Sequence, residues 1–179
     1  RPSLREALRQ LEAEGLITAI PHRGPAVTAL TVEEVDQIYA LRRVLECFAA
    51  QEFARLRRPA DITALRAAVD KLGDVERQGT PLEILEVGTA YYQAIAKGSG
   101  NPYLAQALGT LHNRITLIRF ISLHRRDRIP QSFAALRALS DAIIAGDAEL
   151  ADRVCAEQLK TVGAAARRIV EAGYKLPDR

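Results

Sequence analysis

Helix-start signals recur along most of this chain, each followed by a long amphipathic stretch, and this recurrence limits the possible folds more than any other feature. Thr31-Val-Glu-Glu34 and Thr80-Pro-Leu-Glu83 are capping boxes, in which a threonine hydroxyl and a glutamate carboxylate satisfy each other's backbone N–H groups. Asn101-Pro102 and Asp147 are further N-caps, and Gly79, Gly98-Ser-Gly100 and Gly146 are stop signals. Between these marks apolar residues keep a helical period. The first run holds Val35, Ile38, Leu41, Leu45, Phe48 and Ala49 and reaches about Arg57. A second holds Ile62, Leu65, Val69 and Leu72 after Pro59; a third lies between Thr80 and Gly98. The fourth holds Leu104, Leu108, Leu111, Ile115 and Ile118 and runs unbroken to the basic stretch His124 to Arg128. Pro130 starts a fifth, and a sixth carries Leu150, Val154, Leu159 and Val162 to about Gly173. The spacing predicts one antiparallel helical bundle, with a frayed tail from Lys175 to Arg179.

The first thirty residues have a different texture. Residues 3–14 place Leu4, Ala7, Leu8 and Leu11 on one helical face, and Gly15 with Leu16 forms a C-terminal stop. Two β-prone runs follow, Ile17 to Ile20 and Ala26 to Leu30, joined by Pro21-His22-Arg23-Gly24-Pro25, which predicts a hairpin. The chain opens on Arg1, directly into helical periodicity without a cap, so further sequence upstream is expected.

Composition narrows the function classes. At 179 residues and 48% hydrophobic positions, the chain can bury one sizeable core and a small appendage. A formal net charge of +3 permits nucleic-acid contact without requiring it. Cys47 and Cys155 both sit in apolar helical patterns, which favours reduced, buried side chains and an intracellular, cytoplasmic protein. No apolar run has membrane-spanning length, so no membrane partner is expected. No serine-histidine-acid spacing, glycine-rich phosphate loop, metal-ligand cluster or cysteine-histidine constellation is present, which argues against a small helical enzyme.

Arg1-Pro2-Ser3-Leu4-Arg5-Glu6-Ala7-Leu8 followed by Leu11-Glu12-Ala13-Glu14-Gly15-Leu16-Ile17 resembles the recognition helix of GntR-family winged-helix regulators. The Arg23-Gly24 hairpin is similar to that family's wing. The helical remainder resembles its FadR-type effector domain, termed FCD, through Leu41-Arg42 with Leu45-Glu46, Ser99-Gly100-Asn101-Pro102-Tyr103-Leu104, and Ala142-Ile143 with Gly146-Asp147. The resemblance implies a mainly α protein. A partial winged helix-turn-helix over 1–30, truncated at its N-terminus, would precede a six- to seven-helix FCD-type bundle over 31–179 for effector binding and dimerisation.

A recognition helix presents its N-terminal side chains to base edges in the major groove, so Arg1, Ser3 and Arg5 are the candidate contacts to double-stranded operator DNA. His22, Arg23 and Gly24 of the wing are candidates for phosphates or the minor groove. A solvated arginine-bearing face is the competing reading. Many FCD domains hold a divalent metal through an aspartate and a histidine on one helix and a histidine on each of two later helices. The matching positions here are Gly88, Tyr92, Leu136 and Gln158, a set that lacks the imidazole and carboxylate such metals require, so no metal or other cofactor is expected. His22, His112 and His124 are expected away from those positions.

The resemblance then implies a cavity for a small organic acid or acyl-type effector, lined by Arg42, Gly88, Tyr92, Arg119, Leu136 and Gln158. Each has a plainer reading: Arg42 as an i, i+4 pair with Glu46, Gln158 as the partner of a buried neighbour, Arg119 as a snorkelling or interface residue, and the neighbouring Tyr91 as core. The functional expectation is a homodimeric, ligand-responsive transcriptional regulator, a repressor in the first instance. The alternative is a helical ligand-binding or protein-interaction module without DNA-binding activity.

Overall fold

The computed structural model describes residues 2–125 and 128–174. Helix α1, Pro2–Ala13, ends where Gly15 turns to φ 72°: the Gly15 N–H donates to Glu12 O and the Leu16 N–H to Leu11 O, closing the helix with two reversed bonds. Strands β1, Ile17–Ile20, and β2, Gly24–Val27, pair antiparallel with Ile17 opposite Val27 and Ile20 opposite Gly24. The second strand thus starts two residues earlier than the sequence pattern suggests and stops before Leu30. Gly24 and Pro25 belong to the ladder, because a two-stranded ribbon has free edges on which proline's missing N–H is tolerated.

Seven helices follow among the described residues: α2 Val32–Leu56, α3 Pro59–Gln78, α4 Pro81–Gly98, α5 Pro102–Arg114, α6 Thr116–Ser122, α7 Ile129–Ala145 and α8 Ala148–Glu171. Both capping boxes form, with Glu34 on the Thr31 N–H at 2.8 Å and Glu83 on the Thr80 N–H at 2.7 Å. Asn101 caps α5 and Asp147 caps α8 through side-chain oxygens. The expected single helix from 102 to 124 is broken: Ile115, at φ −99° and ψ 7°, separates α5 from α6. No proline or glycine marks the break. Ile115 is itself fully buried, so packing decides the bend.

Helix α2 runs along α8, α3 packs on α4, and α7 lies against both α8 and α3. Phe53, Leu65, Leu72, Tyr91 and Ile143 are fully buried in the main core. Burying a large apolar side chain contributes roughly 1.5–3 kcal/mol, so the bundle interior dominates stability. A Cβ placed on Gly98 would fall 2.4 Å from the Phe53 ring, and the close approach of α4 to α2 therefore requires glycine there.

A second cluster gathers Leu30, Val35, Ile38, Ile115, Ile118 and Ala166, so Leu30 packs with the bundle and not with the hairpin. The Tyr174 hydroxyl donates to Leu30 O at 2.8 Å and accepts from the Leu30 N–H. Helix α1 reaches the bundle through its end, where Asn113 Nδ2 donates to Glu14 Oε2 at 3.4 Å. Its apolar side stays open, Leu4 being 63% exposed.

Candidate functional site

The inward face of α2 departs from the apolar stripe expected of it. Leu41 and Phe48 are exposed, whereas Arg42 and Glu46 are buried, a correction with a physical cause. Arg42 and Glu46 sit one turn apart and pair at 2.7 Å, and His112 of α5 places Nε2 2.8 Å from the same Glu46 oxygen. A carboxylate only accepts, so both the guanidinium Nε–H and the imidazole Nε2–H donate to it. Burial opposes the charge on Glu46, but Arg42 and His112 override it and hold its pKa at about 2. Burial lowers the His112 pKa despite the facing carboxylate, so the ring is neutral near pH 7.

Beside this cluster lies a cavity of about 580 Å³ between α2, α4, α6, α7 and α8. Arg42, Gly88, Tyr92, Arg119, Leu136 and Gln158, drawn from five helices, all line it. Arg42 both pairs with Glu46 and reaches the cavity. Gln158 Nε2 donates to the Tyr92 hydroxyl at 3.1 Å. Burial, reinforced by the charge of Glu46, pushes the Tyr92 pKa up to about 12, so the phenol stays protonated. Tyr91 is core: its hydroxyl donates to Leu136 O at 2.8 Å and lies 3.0 Å from Ser140 Oγ, which fixes the cavity wall at Leu136.

Two expectations require correction. Arg119 does not snorkel to solvent: it is half-buried, lines the cavity, donates from Nη1 to Thr89 Oγ1 at 3.1 Å and stacks its guanidinium 5.4 Å from the Tyr92 ring centre. His112 is not remote, since its ring centre lies 5.0 Å from that of Tyr92. Its place on the Leu104, Leu108, His112 face of α5 was the available signal; its partner Glu46, 66 residues away, gave none.

The donor set does not fit a transition metal. Gly88 and Leu136 offer no ligand atom, the Tyr92 phenol is protonated and hydrogen-bonded, and Glu46 and His112 are committed to each other and to Arg42. Among the described residues no three His, Cys, Asp or Glu side chains gather in a metal-binding group. Cys47 and Cys155 are free and buried.

At the other end of the chain, Ser3 and Arg5 are exposed on the first turn of α1, while Arg1 lies outside the described residues. His22, at φ 63°, Arg23 and Gly24, at φ 84°, form the exposed hairpin tip. Neither Arg5 nor Arg23 has an acidic partner among the described residues. Among the described residues, no helix is long and apolar enough to cross a membrane.

Comparison with known proteins places this architecture. The FCD domain family model matches residues 37–161. The chain is 28% identical over 133 residues to the uncharacterized HTH-type transcriptional regulator YdhC of Bacillus subtilis, a match covering 72% of this chain and 59% of YdhC, so it spans less than two thirds of that relative. It is 28% identical over 167 residues to the HTH-type transcriptional repressor GlaR of Escherichia coli, covering 88% of this chain and 76% of GlaR. The solved structure of E. coli McbR/YncC superposes with a TM-score of 0.81 at 22% identity, over 95% of this chain and 84% of that one, and shares the fold. With a family model matching well over half of its length, the chain belongs to the FCD domain family.

Proposed function

We propose that this chain is the sensing part, with a portion of the DNA-reading part, of a cytoplasmic transcriptional repressor that answers to a small organic acid or acyl-type effector without a metal. Residues 31–179 form the effector and dimerisation unit, and residues 1–30 contribute to operator recognition. The observation that carries this reading is the cavity in which six residues from five helices converge, mixing fixed cations and a phenol with apolar walls. Concave, largely apolar sites with few polar anchors suit small organic ligands. The repressor sense is supported by the likeness to GlaR, which is named a repressor.

In the DNA-reading part, Arg5 with Ser3 and Arg1 would meet base edges and phosphates of double-stranded DNA, and His22, Arg23 and Gly24 would follow the backbone. Helix α2 leaves Leu41, Val44 and Phe48 exposed at 48%, 65% and 46%, a stripe at helical spacing that a second copy would cover in a homodimer. Val44→Glu should then shift the protein towards monomer in light scattering, and an unchanged mass would remove this face from the interface. The test of the whole reading is a gel shift with operator-containing DNA and the protein carrying this chain. Sequence-preferring, salt-sensitive binding is expected, weakened by about 1–3 kcal/mol in Arg5→Ala. Binding without sequence preference would leave only a helical ligand-binding module.

A further inference from the structure

Two arginines reach the cavity, and their electrostatic circumstances differ. Arg42 is 2% exposed and its charge is met by Glu46 at 2.7 Å. Arg119 is half-buried, donates from Nη1 to the neutral Thr89 hydroxyl at 3.1 Å, and has no carboxylate within 4.0 Å among the described residues. A hydroxyl satisfies a donor but does not neutralise a charge, and a desolvated charge without a counter-charge is unfavourable. A guanidinium does not relieve this by losing its proton. It is relieved by an anion.

The space for that anion is the cavity, which Arg119 reaches by packing against Gly88. A Cβ built there would stand 3.3 Å from Arg119 Nη2, tighter than an ordinary contact, so Nη2 occupies the room that a side chain at 88 would need, at the edge of the cavity that both residues line. Tyr92, whose ring lies under the guanidinium, accepts from Gln158, and its own hydroxyl proton has no acceptor among the described residues. Two residues with a donor unused among the described residues therefore line one cavity, whose apolar walls include Ile84, Phe133 and Leu136.

We propose that Arg119 is the anion anchor of this cavity. It takes the carboxylate of an organic monoacid from the cavity side, with the Tyr92 hydroxyl as second donor and the apolar body of the acid against Ile84, Phe133 and Leu136. A guanidinium's forked donors match a carboxylate's two oxygens, which sets the sense of selectivity: an acid over the amide of the same skeleton. This rests on the effector reading and adds the anchoring residue and the required charge.

Titration calorimetry with octanoate against octanamide, and phenylacetate against phenylacetamide, tests it on the intact protein. Wild type should favour each acid by about tenfold or more, which corresponds to ~1.4 kcal/mol. Arg119→Gln, its fold checked by circular dichroism, should lose the preference, and Arg119→Lys should restore part of it. Gly88→Asp supplies an internal carboxylate to Nη2; it should weaken acid binding about tenfold and raise the ligand-free melting midpoint by about 2–4 °C. It also serves where Arg119→Gln folds poorly. Acid binding that persists undiminished in Arg119→Gln or Gly88→Asp overturns the anchor and leaves the effector reading standing. If neither acid nor amide binds wild type, the effector reading fails and the anchor with it.

Discussion

The bundle interior holds two polar regions that share the Tyr92 ring and are built on opposite terms. Around Glu46 every charge is met: Arg42 and His112 converge on one carboxylate oxygen, and the cluster is closed. Around Arg119 a guanidinium lies 5.4 Å from the same ring, which Arg42 approaches to 5.9 Å, but among the described residues no acid pairs with it. The first arrangement is a structural element, since removing one member strands another. The second has no ion pair for the fold to lose, and its charge faces the cavity. Burial of charge is thus not itself a mark of a binding site; missing compensation is.

The comparison breaks most visibly at Glu46. Glu46→Ala should cost about 3–5 kcal/mol in denaturant unfolding, because Arg42 is left buried and unpaired. A loss under about 1 kcal/mol would mean the cluster is solvated after all. Acid probes the same cluster. The folded Glu46 pKa, about 2, lies below its ordinary 4.5, so its contribution is complete above about pH 4.5 and disappears as pH falls towards 2. The folded His112 pKa lies below its ordinary 6.5, so the unfolded chain takes up that proton first and stability also falls below about pH 6.5. Melting midpoints should therefore decline from pH 6.5 downwards, with a shallower slope below about pH 4.5 in Glu46→Gln; equal slopes there would detach Glu46 from the acid response.

Smaller effects sharpen the contrast. Tyr91→Phe should destabilise by about 0.5–1.5 kcal/mol, since Ser140 still donates to Leu136 O at 2.9 Å. An unchanged stability would deny the hydroxyl any part in fixing the wall. Arg119→Gln should change stability by no more than about 1.5 kcal/mol, since it removes no ion pair and one hydrogen bond, to Thr89. A loss as large as that of Glu46→Ala would make Arg119 structural too.

The parts of this molecule legible in the sequence are those decided within four residues. Thr31 with Glu34 and Thr80 with Glu83 announce helix starts because the capping bonds are local. The phase of α2 was misjudged for the opposite reason: Leu41 and Phe48 complete an apolar stripe on paper, but Arg42 and Glu46 turn inward to meet His112, far away in sequence. The bend at Ile115 is likewise set by its burial in a tertiary cluster. Arg119 stood out as the lone charge in an apolar run, yet its direction depended on α4, where Gly88 leaves room. The hairpin shrank because a free edge accepts Pro25.

The Tyr174 phenol, gripping both backbone groups of Leu30, closes a circuit 144 residues long at the point where the hairpin segment enters the bundle. Mechanically it is a clasp. Helix α8 contributes Gln158 and Val162 to the cavity and ends three residues before the clasp, so a displacement of α8 by a guest would be delivered to a single peptide unit. That peptide directly precedes the Thr31 cap of α2 and follows the last residues of the hairpin, so it joins the hairpin segment to the bundle.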